Sequence, residues 1–159
     1  MKLFLTFLTF IFALATVRGE AVRLAPDFSW ESFNGTSKAL SGLKNQPVIL
    51  IIAPSPKSKV FKKQLKKMAP LYRQYAGREA LFVAAFTSEP GVVESDIPFL
   101  YVRDPQAVAA SYGLNGEKFE LIVIGPDRNM DLITNQLTSG ERVRDVIDNS
   151  FPRQAVRRK

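Results

Sequence analysis

Pro47-Val48-Ile49-Leu50-Ile51-Ile52-Ala53 is a run of seven residues without a polar side chain. β-Branched residues dominate it, and they suit a pleated strand. A half-buried strand alternates apolar and polar residues. An unbroken apolar run marks a strand covered on both faces, as in a parallel or mixed sheet. Whatever this chain folds into must place a layer on each side of that strand.

The flanking sequence supplies those layers. A helix is expected from Ser58 to Ala76, ended by Gly77, because Phe61, Leu65, Met68, Tyr72 and Tyr75 recur at helical spacing as one stripe. Pro70 lies inside it and should kink it, having no N–H to donate. Ala80 to Phe86 reads as a second buried strand, Thr87 to Pro98 as a polar loop, and Phe99 to Val102 as a short strand. Asp104-Pro105 offers an N-cap and a first-turn proline to a helix that closes at Tyr112-Gly113. Phe119 to Ile124 and Met130 to Thr134 form a hairpin about the turn at 125–129. Thr138-Ser139-Gly140-Glu141 is a capping box for a last helix bearing Val143, Val146, Ile147 and Phe151. Upstream, 20–30 reads as irregular. Asn34-Gly35 reads as a tight turn and, with Thr36, as a glycosylation sequon. Buried strands alternating with helices, then an antiparallel pair, give an α/β sandwich: a mixed central sheet flanked by helices.

Met1-Lys2, the apolar stretch from Leu3 to Val17 and the small residues Ala13, Ala15 and Gly19 follow the order of a secretory signal. The stretch is 15 residues long, short of the ~20 that a bilayer-spanning helix needs. Residues 1–19 are therefore read as a signal peptide cleaved after Ala15 or Gly19, the alternative being an uncleaved anchor. Residues 20–152 are read as the domain and 153–159 as a basic tail. The mature chain has no other long apolar stretch and is expected to be secreted or periplasmic.

Of 159 residues, 46% are apolar and 11% aromatic, enough for one self-sufficient core. The chain has no Cys, which removes thiol nucleophiles, disulfides, iron–sulfur clusters and Cys-based zinc sites. It has no His, which removes the usual general base and the commonest metal ligand. No cofactor is implied. The formal net charge is +7, and cleavage after Gly19 would take Lys2 and Arg18 from the 22 basic residues and none of the 15 acidic ones.

The order of elements resembles the thioredoxin fold in its peroxiredoxin-like form. Ala25-Pro26-Asp27-Phe28 with Asn34-Gly35, Asp104 through Tyr112-Gly113, and Ile122-Val123-Ile124-Gly125-Pro126-Asp127 carry the likeness. Within that superfamily the chain is similar to a Cys-poor exported prokaryotic domain family of unknown function, with relatives in animal extracellular-matrix and sushi-repeat proteins. Ala53-Pro54-Ser55-Pro56, Gly77-Arg78-Glu79 and the stretch from Val146 to Arg153 suggest this, although Gly125-Pro126-Asp127-Arg128 replaces that family's Gly-Lys-Asp-Gly turn. The wider resemblance implies a C-x-x-C pair or a P-x-x-x-[T/S]-x-x-C motif at the head of the first long helix. The best register here is Pro54, Ser58, Phe61, so an aromatic ring stands where the thiolate would be. The superfamily's peroxide-polarising Arg would fall near Lys118-Phe119, where there is none, and the proline that often precedes the last hairpin is missing before Phe119.

With thiols gone, charge is the remaining handle. Lys57, Lys59, Lys62, Lys63, Lys66 and Lys67 are the candidate binding residues. Together they would attract an anionic polymer, a lipid headgroup or an acidic protein; the alternative is a solvated face opposite the core stripe. Lys57 and Lys59 stand against the helix dipole, a small cost. Arg157-Arg158-Lys159 could extend the patch. Nucleic acid is a poor candidate, because the chain reads as exported and its aromatics lie on core stripes. Ser55, Ser58 and Thr87 near strand ends, with Lys57 or Lys59 as base, are the ingredients of a thiol-independent enzyme. Glu89, Glu94 and Asp96 share an acidic loop without a known metal spacing. Asp104 reads as a cap, Asp127 as a turn residue and Trp30 as packing. The sequence favours an exported, non-redox binding module without enzymatic activity; a Ser/Lys enzyme and a passive envelope or matrix component are the alternatives.

Overall fold

The computed structural model describes residues 23–74 and 80–150. The strands are β1 (Ser29–Glu31), β2 (Ser37–Ala39), β3 (Val48–Ala53), β4 (Leu81–Phe86), β5 (Phe99–Tyr101), β6 (Glu120–Ile124) and β7 (Met130–Thr134). The helices are α1 (Lys59–Gln74), α2 (Pro105–Ser111) and α3 (Gly140–Asp148). A five-stranded sheet runs β5-β4-β3-β6-β7, and β1-β2 make a separate hairpin. β4 pairs parallel with β3 and β5, whereas β6 pairs antiparallel with β3 and β7, so the sheet is mixed. This is the thioredoxin-like α/β arrangement expected from the sequence.

β3 is the central strand, and each of its residues is fully covered. Its period of two divides it between two cores. Ile49, Ile51 and Ala53 pack with Phe61 and Met68 of α1 and Val143 and Ile147 of α3. Val48, Leu50 and Ile52 pack with Phe28, Trp30, Leu40 and Val108.

Two local expectations change, the irregular entry segment and the cap of α3. The segment read as irregular contains β1, which the Asn34-Gly35 turn folds onto β2. Gly35 takes φ 78°, a value that glycine adopts without strain, and Asn34 Oδ1 accepts the Thr36 N–H at 3.2 Å. Trp30 is fully buried because β1 bridges Val102 beyond β5. Pro70 sits within α1, which stays helical on both sides of it. The cap of α3 is Ser139, one residue later than the capping box, with its Oγ accepting the Arg142 N–H at 3.2 Å.

Gln64 explains the shifted cap. Its fully buried amide accepts the Thr138 N–H at 2.9 Å and donates to the Thr138 carbonyl at 2.8 Å. Thr138 is thus held like a strand residue against α1. Gly140 then meets α1 so closely that a Cβ there would lie 2.8 Å from Leu71 Cβ. The proposed signal segment, Tyr75, Gly77, Phe151 and the basic tail lie outside the described residues. No helix among the described residues is long and apolar enough to cross a membrane.

Replacing Gln64 by Ala strands the part-buried Thr138 N–H and carbonyl, each worth roughly 1–3 kcal/mol when fully shielded from water. Urea unfolding should show Gln64→Ala destabilised by about 2–4 kcal/mol, more than truncation of an exposed neighbour such as Lys63.

Candidate functional site

The head of α1 is built by the turn that leaves β3. Ser58 Oγ accepts the Phe61 N–H at 3.2 Å in the manner of an N-cap, and the Lys62 N–H donates to the Ser58 carbonyl at 3.0 Å. Ser55 Oγ donates to Glu89 Oε2 at 3.2 Å and accepts the Lys57 N–H at 3.0 Å. Lys57 Nζ donates to Glu89 Oε1 at 2.6 Å. The Glu89 carboxylate holds the Lys57 ammonium above the ordinary lysine range, and the Lys57 and Ser55 hydrogen bonds hold Glu89 below the ordinary carboxylate range. Both effects oppose base catalysis: Lys57 keeps its proton, and Ser55 points its hydroxyl at an acid that is hard to protonate. Thr87, the third hydroxyl considered, is buried with Oγ1 2.5 Å from the Gly116 carbonyl. Capping and loop anchoring account for all three.

The six lysines are exposed. Lys57 lies before α1 and is engaged by Glu89, whereas the other five project from the helix. At about 100° per residue, Lys59, Lys62, Lys63, Lys66 and Lys67 occupy an arc of about 140°. Phe61, Gln64, Leu65, Met68, Leu71 and Tyr72 fill about 120° on the opposite side. The lysines therefore crown a convex ridge about 12 Å long, and Lys59 at its N-terminal end also borders a groove. Three ion pairs occur among the described residues: Lys57–Glu89, Arg73–Asp96 and Arg103–Glu31. None involves a ridge lysine, and the first turn of α1 holds no acid. The same pairs separate Glu89 from Asp96, and among the described residues no three His, Cys, Asp or Glu side chains could hold a metal ion together.

A groove of about 370 Å³ opens beside the head of α1, between Lys59 and Val60 on one wall and Lys118 and Phe119 on the other. Gly116 sets the second wall. At φ 74°, with a would-be Cβ 2.6 Å from Thr87 Cγ2, only glycine lets the loop before β6 lie this close to the end of β4.

Sequence reasoning passed over one charged pair. β7 pairs with β6 through a bulge that skips Asp131. Asp131 Oδ2 and Asp127 Oδ1 then both crowd Gly125, leaving no room for a Cβ there. Burial, reinforced by the Asp127 charge, pushes the Asp131 carboxyl up to about 6. A bulge leaves no mark in the sequence, so only Asp127 was legible, and only as a turn residue.

The AhpC/TSA family model matches residues 22–138. The chain belongs to the AhpC/TSA family. No curated protein matches it significantly. Among solved structures, peroxidoxin BcpB from Mycobacterium tuberculosis is 24% identical with a TM-score of 0.57, over 78% of this chain and 90% of that one. A thiol:disulfide interchange protein from a Bacteroides species is 13% identical with a TM-score of 0.62, over 82% and 91%. The exposed lipoprotein thioredoxin Etrx1 of Streptococcus pneumoniae is 14% identical with a TM-score of 0.57, over 77% and 98%. At these identities the structures establish a shared fold. In this AhpC/TSA member the register position Phe61 is fully buried, edge-on to Phe86 with ring centroids 5.2 Å apart. The expected Arg near 118–119 is replaced by the exposed Lys118 and the buried Phe119.

A thiol placed at Phe61 would be sealed in hydrocarbon, which raises its pKa. Phe61→Cys should therefore resist Ellman's reagent while folded, react on denaturation, consume no hydroperoxide, and lose about 2–4 kcal/mol of stability. Asp131 yields a pH test. Its folded-state pKa lies above the unfolded 3.8, so the native state binds the extra proton. Stability should fall as pH rises from about 4 to about 6 and stay lower above. Asp131 is open to water on one side, so the expected loss is about 1 kcal/mol rather than the ~3 kcal/mol of an unscreened shift. Asp131→Asn should abolish that slope and raise the melting temperature at pH 7.

Proposed function

We propose that this chain is a non-redox AhpC/TSA-family binding module that engages an extended anionic polymer through the lysine ridge of α1. The observation that carries this reading is the ridge itself: five exposed lysines on one helix face, with no carboxylate partner among the described residues. Uncompensated like charge on one helix is mildly destabilising, and a polyanion would relieve it. A convex ridge cannot enclose a small ligand, so the partner must be larger than the ridge. A lipid surface would gain from apolar side chains inserted beside the lysines, and Val60 is the only large one exposed on α1. An acidic protein remains a weaker alternative. Export, and the likeness to Cys-poor exported domains, belong to the same proposal and rest on the sequence of 1–19. A Ser/Lys enzyme loses support from the protonated Lys57.

The test is binding to heparin, anionic vesicles and polyaspartate at graded salt. Heparin affinity should fall by one to two orders of magnitude between about 50 and about 200 mM salt. It should be abolished in a variant with Lys62, Lys63, Lys66 and Lys67 all changed to Gln. Salt-independent binding, or binding to none of the three, would sink the proposal; so would insulin reduction or hydroperoxide turnover by the pure protein.

A further inference from the structure

The groove at the head of α1 is chemically unlike the ridge. Its walls include the apolar surfaces of Pro54, Val60 and Phe119, and Val60 is 41% exposed although it is a large aliphatic residue. The polar residues lining it are Ser58, Lys59, Lys118 and Asn135, together with Glu117. Neither ammonium nor the Asn135 amide has a hydrogen-bond partner among the described residues, and the Ser58 oxygen receives a bond but gives none. The one carboxylate at the rim, Glu117, already accepts from Asn115 Nδ2 at 3.0 Å. The cavity of about 370 Å³ falls within the range of roughly 300–1,000 Å³ usual for small-molecule sites. Lys118 feels the Glu120 carboxylate at longer range but makes no ion pair with it, so an apolar wall beside two cations without close partners calls for a ligand that brings acceptors at one end and hydrocarbon at the other.

We infer that this groove binds an amphipathic carboxylate, a medium-chain aliphatic acid, with its carboxylate between Lys59 and Lys118 and its chain along Val60 and Phe119. A bare inorganic anion leaves the apolar wall wet, and a neutral lipid leaves the ammonium groups unanswered. The groove shares Lys59 with the ridge but can be tested apart from the polymer reading, because Lys62, Lys63, Lys66 and Lys67 do not line it.

The probe is decanoate below its micellar concentration, titrated into the full chain and followed by amide NMR, with decanol and decyltrimethylammonium as controls. Decanoate should shift Val60, Lys118 and Phe119 and saturate with Kd on the order of 100 µM. Both controls should bind at least about tenfold more weakly. Val60→Asp and the double variant Lys59→Gln/Lys118→Gln should each weaken decanoate about tenfold or more. These residues are exposed, and the spectrum itself reports folding. The ridge variant, with Lys62, Lys63, Lys66 and Lys67 changed to Gln, should bind within about twofold of the parent. The inference is overturned if decanol matches decanoate, if the shifts map elsewhere, if saturation is absent below about 1 mM, or if the ridge variant loses binding.

Discussion

The fold depends on a strand that cannot face water on either side. β3 has six fully covered residues, hydrogen-bonded to β4 on one edge and β6 on the other. Burying apolar surface contributes about 25 cal/mol per Å², so a strand covered on both faces brings more to stability than any edge strand here. It also dictates what surrounds it. One core requires α1 and α3, and the other requires α2 and the β1–β2 hairpin with Trp30.

That arrangement decides what the head of α1 can do. In a thiol-bearing relative of the kind implied by the sequence resemblance, the position now held by Phe61 would need solvent, a nearby positive charge and a sulfur. Here the ring lies between the sheet and the helix, edge-on to Phe86 and tilted against Phe99. The polar groups around it have been turned to structure. Ser58 caps the helix, while Ser55, Lys57 and Glu89 tie the turn after β3 to the loop after β4. Among the described residues, the surface near this helix carries a ridge of lysines and a groove lined in part by Val60 and Phe119.

Most of the secondary structure was legible because it follows from short-range rules. The apolar run gave β3, the spacing of Phe61, Leu65, Met68 and Tyr72 gave α1, and Asp104-Pro105 gave the start of α2, where Asp104 accepts the Ala107 N–H at 3.0 Å. The misreadings share one cause. β1 is three residues long and is held by contact with Val102, far away in sequence. The α3 cap moved because Gln64, 74 residues earlier, claims the Thr138 backbone. Asp131 became unusual through a bulge. None of these is a local property.

The candidate site divides the same way. Helical periodicity alone puts five lysines opposite the core, because a face that cannot be buried must be wet. Composition alone removes the thiol, since a residue absent from the chain is absent from every fold of it. Sequence could not say that the lysines form a ridge rather than a hollow, that Lys57 is taken by Glu89, or that Val60, Lys118 and Asn135 meet across a groove. Those facts depend on how elements far apart in the chain pack, and packing is fixed by the fit of whole surfaces rather than by the preferences of neighbouring residues.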